Sequence, residues 1–274
     1  MFSSRLGCSS ISFRHQSLPE ALGTIGGLGF EEIDLGALPG VCDHVPYVLD
    51  GTAVNRVAAE VQASGLRVRS VNGDVGDLNA VLDERQRAQR GEHLEMLLEL
   101  TAAVGADALV LPCGALEHEP VRSLEEDIRA VAEELARASR RAAAAGVELW
   151  CESLHFFRLC WNTERAQQLT DELEGNGVGV VMDFSHIVAS GGDPVRFVET
   201  FADRITHVHL RDATAGNINL SIGNGEADFA AGLDALERAG YTGHFSLELE
   251  TRDVIHDQRP AATRAAAEYI TSLL

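Results

Sequence analysis

Residues 178–186 read Val-Gly-Val-Val-Met-Asp-Phe-Ser-His. Five apolar or small residues lead into a carboxylate, Asp183, and an imidazole follows three positions later at His186. An apolar run of that length suits a strand covered on both faces, which is the condition of strands in a parallel sheet flanked by helices. Such a run is an expensive place to end on an acid, because burying a lone carboxylate costs free energy unless something compensates its charge. The stretch therefore raises two questions, what sheet the strand belongs to and what Asp183 meets at its end.

Reading outward from it, short apolar runs alternate with longer Ala- and Glu-rich amphipathic segments. Downstream, a helix over Pro194–Phe201 precedes a strand at Ile205–Leu210, a helix at Phe229–Ala239, a strand at Phe245–Leu249 and a helix at Ala261–Leu274. Upstream, Val147–Cys151 pairs with Thr163–Leu173, Ala108–Leu111 with Leu124–Ala145, and Leu66–Val71 with a long helix ending near Val104. Glu31–Leu35 with Thr52–Ala63, and Leu6–Cys8 with Leu18–Leu28, complete the series. Gly65 and Gly146 stand where helix C-termini need left-handed backbone, Thr163 reads as an N-cap, and Pro194 suits a first helical turn. Strict alternation means parallel strands joined by crossover helices, and eight units in 274 residues is the size of a closed (β/α)8 TIM barrel, here expected as one domain over residues 1–274. A doubly wound open sheet is the alternative, but no G-x-G-x-x-G follows the first strand.

Composition narrows the functions. The chain carries 42 acidic against 22 basic residues, a formal charge of −20, which repels phosphodiester backbones and anionic membranes. Nucleic acid and membrane partners are not expected. Every basic residue is arginine, so Schiff-base chemistry on a lysine is excluded. Five cysteines without a C-x-x-C pair read as reduced, mostly buried thiols, and with no signal-peptide pattern they suggest a cytoplasmic protein.

In a barrel, the side chains at the C-terminal ends of the strands meet over the mouth. Strand five ends on Glu152, strand six on Asp183, strand seven on His209 and strand eight on Glu248, spaced 31, 26 and 39 residues apart, about one strand-helix unit each. Glu250 and His207 share facing with Glu248 and His209, since strand facing has period two, and the spacing from Gly243 favours Glu248. Three carboxylates converging in a low-dielectric mouth repel one another, and a divalent cation removes the conflict. Oxygen-rich ligation with one imidazole favours Mn²⁺, then Mg²⁺ or Co²⁺, over Zn²⁺. His186, His155, Arg158 and Arg211 fall beside these positions as substrate-binding candidates, with Arg252 a further cation. The loop at residues 38–47, LPGVCDHVPY, reads as a lid or a subunit contact.

These features, with LPEALGTIGGLGFEEIDL at residues 18–35, M-D-x-S-H, H-V-H-L-R-D, SIGNGEADF and YTGHFSLELE, resemble the xylose isomerase-like barrels over nearly the whole chain. That superfamily includes sugar-phosphate isomerases and epimerases, ketose 3-epimerases, inosose dehydratases and endonuclease IV. The resemblance implies one Mn²⁺-type ion held by Glu152, Asp183, His209 and Glu248, His186 beside the substrate, the two glutamates as a proton-transfer pair, and a possible homo-oligomer. The chain departs from endonuclease IV in lacking histidines after strands three and four. It departs from ketose 3-epimerases at Ala215, where they place an arginine, and from xylose isomerase proper in having no lysine. The expected chemistry is proton abstraction next to a sugar carbonyl through a metal-stabilised enediolate, giving isomerisation or epimerisation. A dehydratase of the inosose or dehydroshikimate type and a non-catalytic sugar-binding barrel are the alternatives.

Overall fold

A computed structural model describes all 274 residues. The strands are β1 (Leu6–Cys8), β2 (Glu32–Ala37), β3 (Arg67–Gly73), β4 (Ala108–Pro112), β5 (Glu148–Glu152), β6 (Val178–Asp183), β7 (Ile205–Leu210), a small hairpin of β8 (Asp212–Thr214) and β9 (Asn217–Leu220), and β10 (His244–Leu247). Eight of them form one parallel sheet in the order β1-β10-β7-β6-β5-β4-β3-β2, with helices packed around it. The sheet curls until β1 lies beside β2 without a hydrogen-bonded ladder between them, a nearly closed (β/α)8 barrel. Gly7 permits that approach, because a Cβ there would meet the Glu32 Cγ and carbonyl oxygen at 3.0 Å.

The main core, 65 buried residues, lies between the barrel and its helices. Inside the barrel the packing is different. A small apolar cluster of Ala108, Val110, Trp150 and Val181 shares the interior with buried Asp34, Ser70, His207, His209 and Ser246. Strands β2, β7 and β10 thus alternate, apolar toward the helices and polar toward the axis, where a wholly apolar run was expected.

Local signals place most boundaries. Asp50, Asp83 and Ser123 each accept a hydrogen bond from the backbone two or three residues into the following helix, and Gly65 ends its helix at φ 72°. Asn162, not Thr163, is the N-cap of the helix over Thr163–Glu172: its side chain accepts from Arg165 N, and Thr163 becomes the first helical residue. Two elements went unanticipated. A short helix, Phe184–Ala189, starts directly at the end of β6, and the β8–β9 hairpin follows β7. No helix is long and apolar enough to cross a membrane.

Candidate metal centre at the barrel mouth

Four side chains from the C-terminal ends of adjacent strands point at one another. Glu152 is the last residue of β5, Asp183 the last of β6, His209 the penultimate residue of β7, and Glu248 follows β10. In register, Asp183 lies opposite His209, and Ser246, two residues before Glu248, also lies opposite His209. One ligand atom from each of the four lies within 4.8 Å of the others. His209 turns Nδ1 toward this cluster, 3.2 Å from Glu152 Oε1 and 3.6 Å from Glu248 Oε2.

Asp183 is divided between two tasks. Its Oδ1 accepts from the Ser185 N–H at 2.6 Å, the Ser185 hydroxyl at 2.6 Å and the His186 N–H at 3.2 Å, capping the helix that begins at Phe184. That leaves Oδ2 facing the Arg211 guanidinium at 3.5 Å and His186 Nε2 at 3.8 Å. A strand that runs straight into a helix therefore holds one carboxylate oxygen rigidly and frees the other.

The electrostatics show a deficit of positive charge. Burial, together with the Glu152 and Asp183 charges, pushes Glu248 up to about 8 against the pull of His209 and Arg211. Burial alone would lower His209, yet the Glu248 charge, the nearby Asp34 carboxylate and the hydrogen bond with Glu152 raise it well above the ordinary histidine value. Burial likewise works to raise Glu152, but the His209 hydrogen bond and the neighbouring histidines hold it below the ordinary carboxylate range. His209 and Glu248 thus hold their protons more tightly than ordinary histidine and glutamate do. A dication would displace them and satisfy the same three carboxylates, so the donor set fits a divalent metal.

Around the cluster opens a pocket of about 270 Å³. His186, His155, Arg158, Arg211 and Arg252 all line it, as do Leu38, Pro39 and Val41 from the 38–47 loop. His186 is pinned: its Nδ1 accepts from the Phe156 N–H at 3.1 Å, its ring lies 3.9 Å from that of His155, and burial with nearby Arg211 lowers it to about 3 despite Glu152. The Phe156 contact leaves the ring's proton to Nε2, which lies 3.8 Å from Asp183 Oδ2 and 3.4 Å from Arg211 Nη2 at the edge of the mouth. Arg158 is tied to Asp74 at 2.6 Å, and the fully buried Arg211 spans Ser185, Asp183 and Glu250. Glu250 is drawn away to Arg14 at 2.6 Å, so Glu248 is the glutamate that meets the other three groups. Phe157 lines the pocket, whereas Trp161 stacks on His118 outside it. Cys42 and His44 turn inward and bond to each other and to Ser10, away from the mouth.

Sequence reading passed over three residues that the fold brings here. Asp34, on β2, is fully buried and receives His207 Nε2 at 2.8 Å and the Ser70 hydroxyl at 2.8 Å. Asn72, on β3, donates to Glu248 Oε1 at 3.0 Å. Alternation within EIDLGA and VRSVNG was the available signal, since it places Asp34, Ser70 and Asn72 on one face.

A family model described as "Xylose isomerase-like TIM barrel" matches residues 27–273. The 3-dehydroshikimate dehydratase of Pseudomonas aeruginosa is 27% identical over 273 residues, covering 94% of this chain and 39% of that protein. The chain thus spans about two fifths of that relative's length. The 3-dehydro-D-guloside 4-epimerase of Escherichia coli is 24% identical, covering 80% of this chain and 82% of that one. Among solved structures, the IolI protein with a bound zinc atom matches with a TM-score of 0.79 at 19% identity, covering 98% of each chain.

Proposed function

The chain belongs to the xylose isomerase-like TIM-barrel family, and from that premise we propose that it is a divalent-metal-dependent epimerase or isomerase of a polyhydroxy ketone. The observation that carries the reading is the convergence of Glu152, Asp183, His209 and Glu248 within 4.8 Å at the floor of the mouth pocket. These four would hold the ion. Three carboxylates and one imidazole suit Mn²⁺, with Mg²⁺ or Co²⁺ as substitutes, and the zinc in the IolI structure makes Zn²⁺ the comparison to run. A bound ion supplies Lewis-acid polarisation of the carbonyl and lowers the cost of the negative charge that develops as the neighbouring proton leaves.

The chain's own groups do the rest. Glu152 and Glu248 come from strands separated by β6 and β7 around the ring, so they reach a bound sugar from different sides. One carboxylate removes the proton next to the carbonyl and the other returns one to the opposite face, which inverts that carbon. His186, neutral and held by the Phe156 amide, donates from Nε2 to a substrate oxygen. Return of the proton to the neighbouring carbon gives isomerisation instead.

Charge at the mouth favours an uncharged sugar over a sugar phosphate or a keto acid. Arg158 and Arg211 already face carboxylates, and Arg252 is the one arginine lining the pocket without an ion pair. Dehydration is the second reading, favoured by the dehydratases among the relatives, and it differs only in whether a β-hydroxyl leaves. The test is to supply Mn²⁺ and screen ketoses, keto-glycosides, inososes and dehydroshikimate in D₂O. Deuterium entering recovered ketone supports epimerisation or isomerisation, and new ultraviolet absorbance from a product more conjugated than its substrate supports dehydration. Neither signal from any of them, with metal demonstrably bound, would refute catalysis on this substrate class.

A further inference from the structure

Strands β2 and β3 contribute no ligand to the cluster, yet their inward side chains form a buried polar layer directly beneath it. Asp34 is at its centre, with no solvent exposure. Its Oδ2 receives His207 Nε2 at 2.8 Å and lies 3.5 Å from His209 Nε2, while Oδ1 accepts from Ser70. His209 Nε2 is fully buried and has no hydrogen-bond partner at closer range. The same layer continues sideways: Ser70 Oγ lies 3.3 Å from Asn72 Oδ1, and Asn72 donates to Glu248 Oε1. Two of the four cluster residues are therefore backed by one chain of groups.

An imidazole can ligate through Nδ1 only if that nitrogen is unprotonated, which requires the proton on Nε2 and a partner to receive it. The His207 ring stands nearly perpendicular to that of His209, 5.2 Å away centroid to centroid, and no other side chain hydrogen-bonds His209 Nε2. A carboxylate in that position makes the ligand nitrogen more basic and fixes the ring's rotation. His207 is spent on Asp34, which stops the carboxylate from turning away.

We infer that Asp34 is the positioning residue of the metal site: it accepts the Nε2 proton of His209, so that Nδ1 offers its lone pair to the ion. The inference rests on the metal-centre reading, and its test separates the two. Mn²⁺ binding is titrated by the loss of the free-ion electron paramagnetic signal in wild type, Asp34→Asn and, as a check on the layer's other arm, Asn72→Ala. The expected result is an affinity about 10- to 100-fold weaker for Asp34→Asn, the range for losing the carboxylate behind a metal-bound histidine. Nitrogen NMR of the wild-type protein loaded with diamagnetic Zn²⁺ gives an independent readout, in which His209 shows a protonated, slowly exchanging Nε2–H shifted downfield by its carboxylate. Should Asp34→Asn fail to fold, that resonance alone decides. Equal Mn²⁺ affinity in folded Asp34→Asn, or a Zn²⁺-loaded wild type lacking the resonance, overturns the role of Asp34 while leaving the metal centre standing. A wild type that binds no Mn²⁺ overturns both.

Discussion

The barrel has an ionic cluster at each end, and the two are built on opposite principles. At the N-terminal end, Glu32 opens β2, Arg67 opens β3 and His244 opens β10, with Asp107 just ahead of β4. Arg69 bonds Glu32 Oε2 at 2.9 Å and also Asp107, Arg67 reaches Asp107 at 3.3 Å, and His244 Nδ1 lies 2.7 Å from Glu32 Oε1. Two carboxylates there face two guanidiniums, so the charges cancel. At the C-terminal end, Glu152, Asp183 and Glu248 have Arg211 and His209 between them, and Glu250 and Asp34 draw on the same cations. The N-terminal cluster runs from buried Glu32 and Arg69 out to exposed Arg67 and the C-terminal one stays largely buried, but only the balanced one is complete as folded. The other holds more negative charge than its own residues neutralise, and that imbalance, rather than burial or the number of acids, is what the proposed metal would offset.

The largest effect should come from the chemistry at the unbalanced end. Glu152→Gln and Glu248→Gln keep side-chain shape but remove the base, and each should slow deuterium exchange into substrate by about 10³-fold, within the range for losing a positioned proton-transfer group. Exchange at the wild-type rate in both variants would remove them from the reaction. At the balanced end the effect should fall on stability alone. Arg69→Leu removes the guanidinium that Glu32 and Asp107 share, leaving buried Glu32 only His244, and should cost about 3 kcal/mol in urea unfolding. Mn²⁺ affinity of the folded Arg69→Leu variant should stay at the wild-type value, and a matching loss of metal binding would break the division of labour between the two ends.

Metal addition should separate the ends from the other direction. A free ion at 100 times its dissociation constant should stabilise the wild type by about 2.7 kcal/mol, read as a higher melting temperature that chelator reverses. The smallest expected effect is the sharpest test of imbalance. In chelator, Glu248→Gln should melt higher than chelated wild type, by about 1 kcal/mol of stability, because one of three crowded carboxylates is gone. Metal should then stabilise the variant less than it stabilises wild type. A chelated Glu248→Gln that melts lower than wild type would mean that the carboxylate is already compensated.

Much of this was legible along the chain. The helices over Leu18–Leu28 and Pro194–Phe201 and the strand Ile205–Leu210 lie where periodicity and capping residues put them. The strand-end positions of Glu152 and Asp183 followed from where apolar runs stop. The inward faces were harder to read. In β7, His207 and His209 share facing, and nothing local separates them; Trp150 packs 5.4 Å from the His207 ring and Asp34 receives His207, which sets one histidine beneath the other. Glu248 and Glu250 pose the same ambiguity, resolved when Arg14, distant in sequence, draws Glu250 aside. Asp34 itself escaped notice because an acid in the middle of a strand shows no local sign of its partners.

Sequence alone determined the alternation of strands and helices, and with it the barrel and the height at which each strand releases its last side chain, because hydrophobic period and capping act over a few neighbouring residues. The tertiary structure alone decided which acids meet which cations across the barrel. Those pairings join residues as much as 236 positions apart, as Arg14 and Glu250 are, and depend on register and burial that come into being only when the sheet closes.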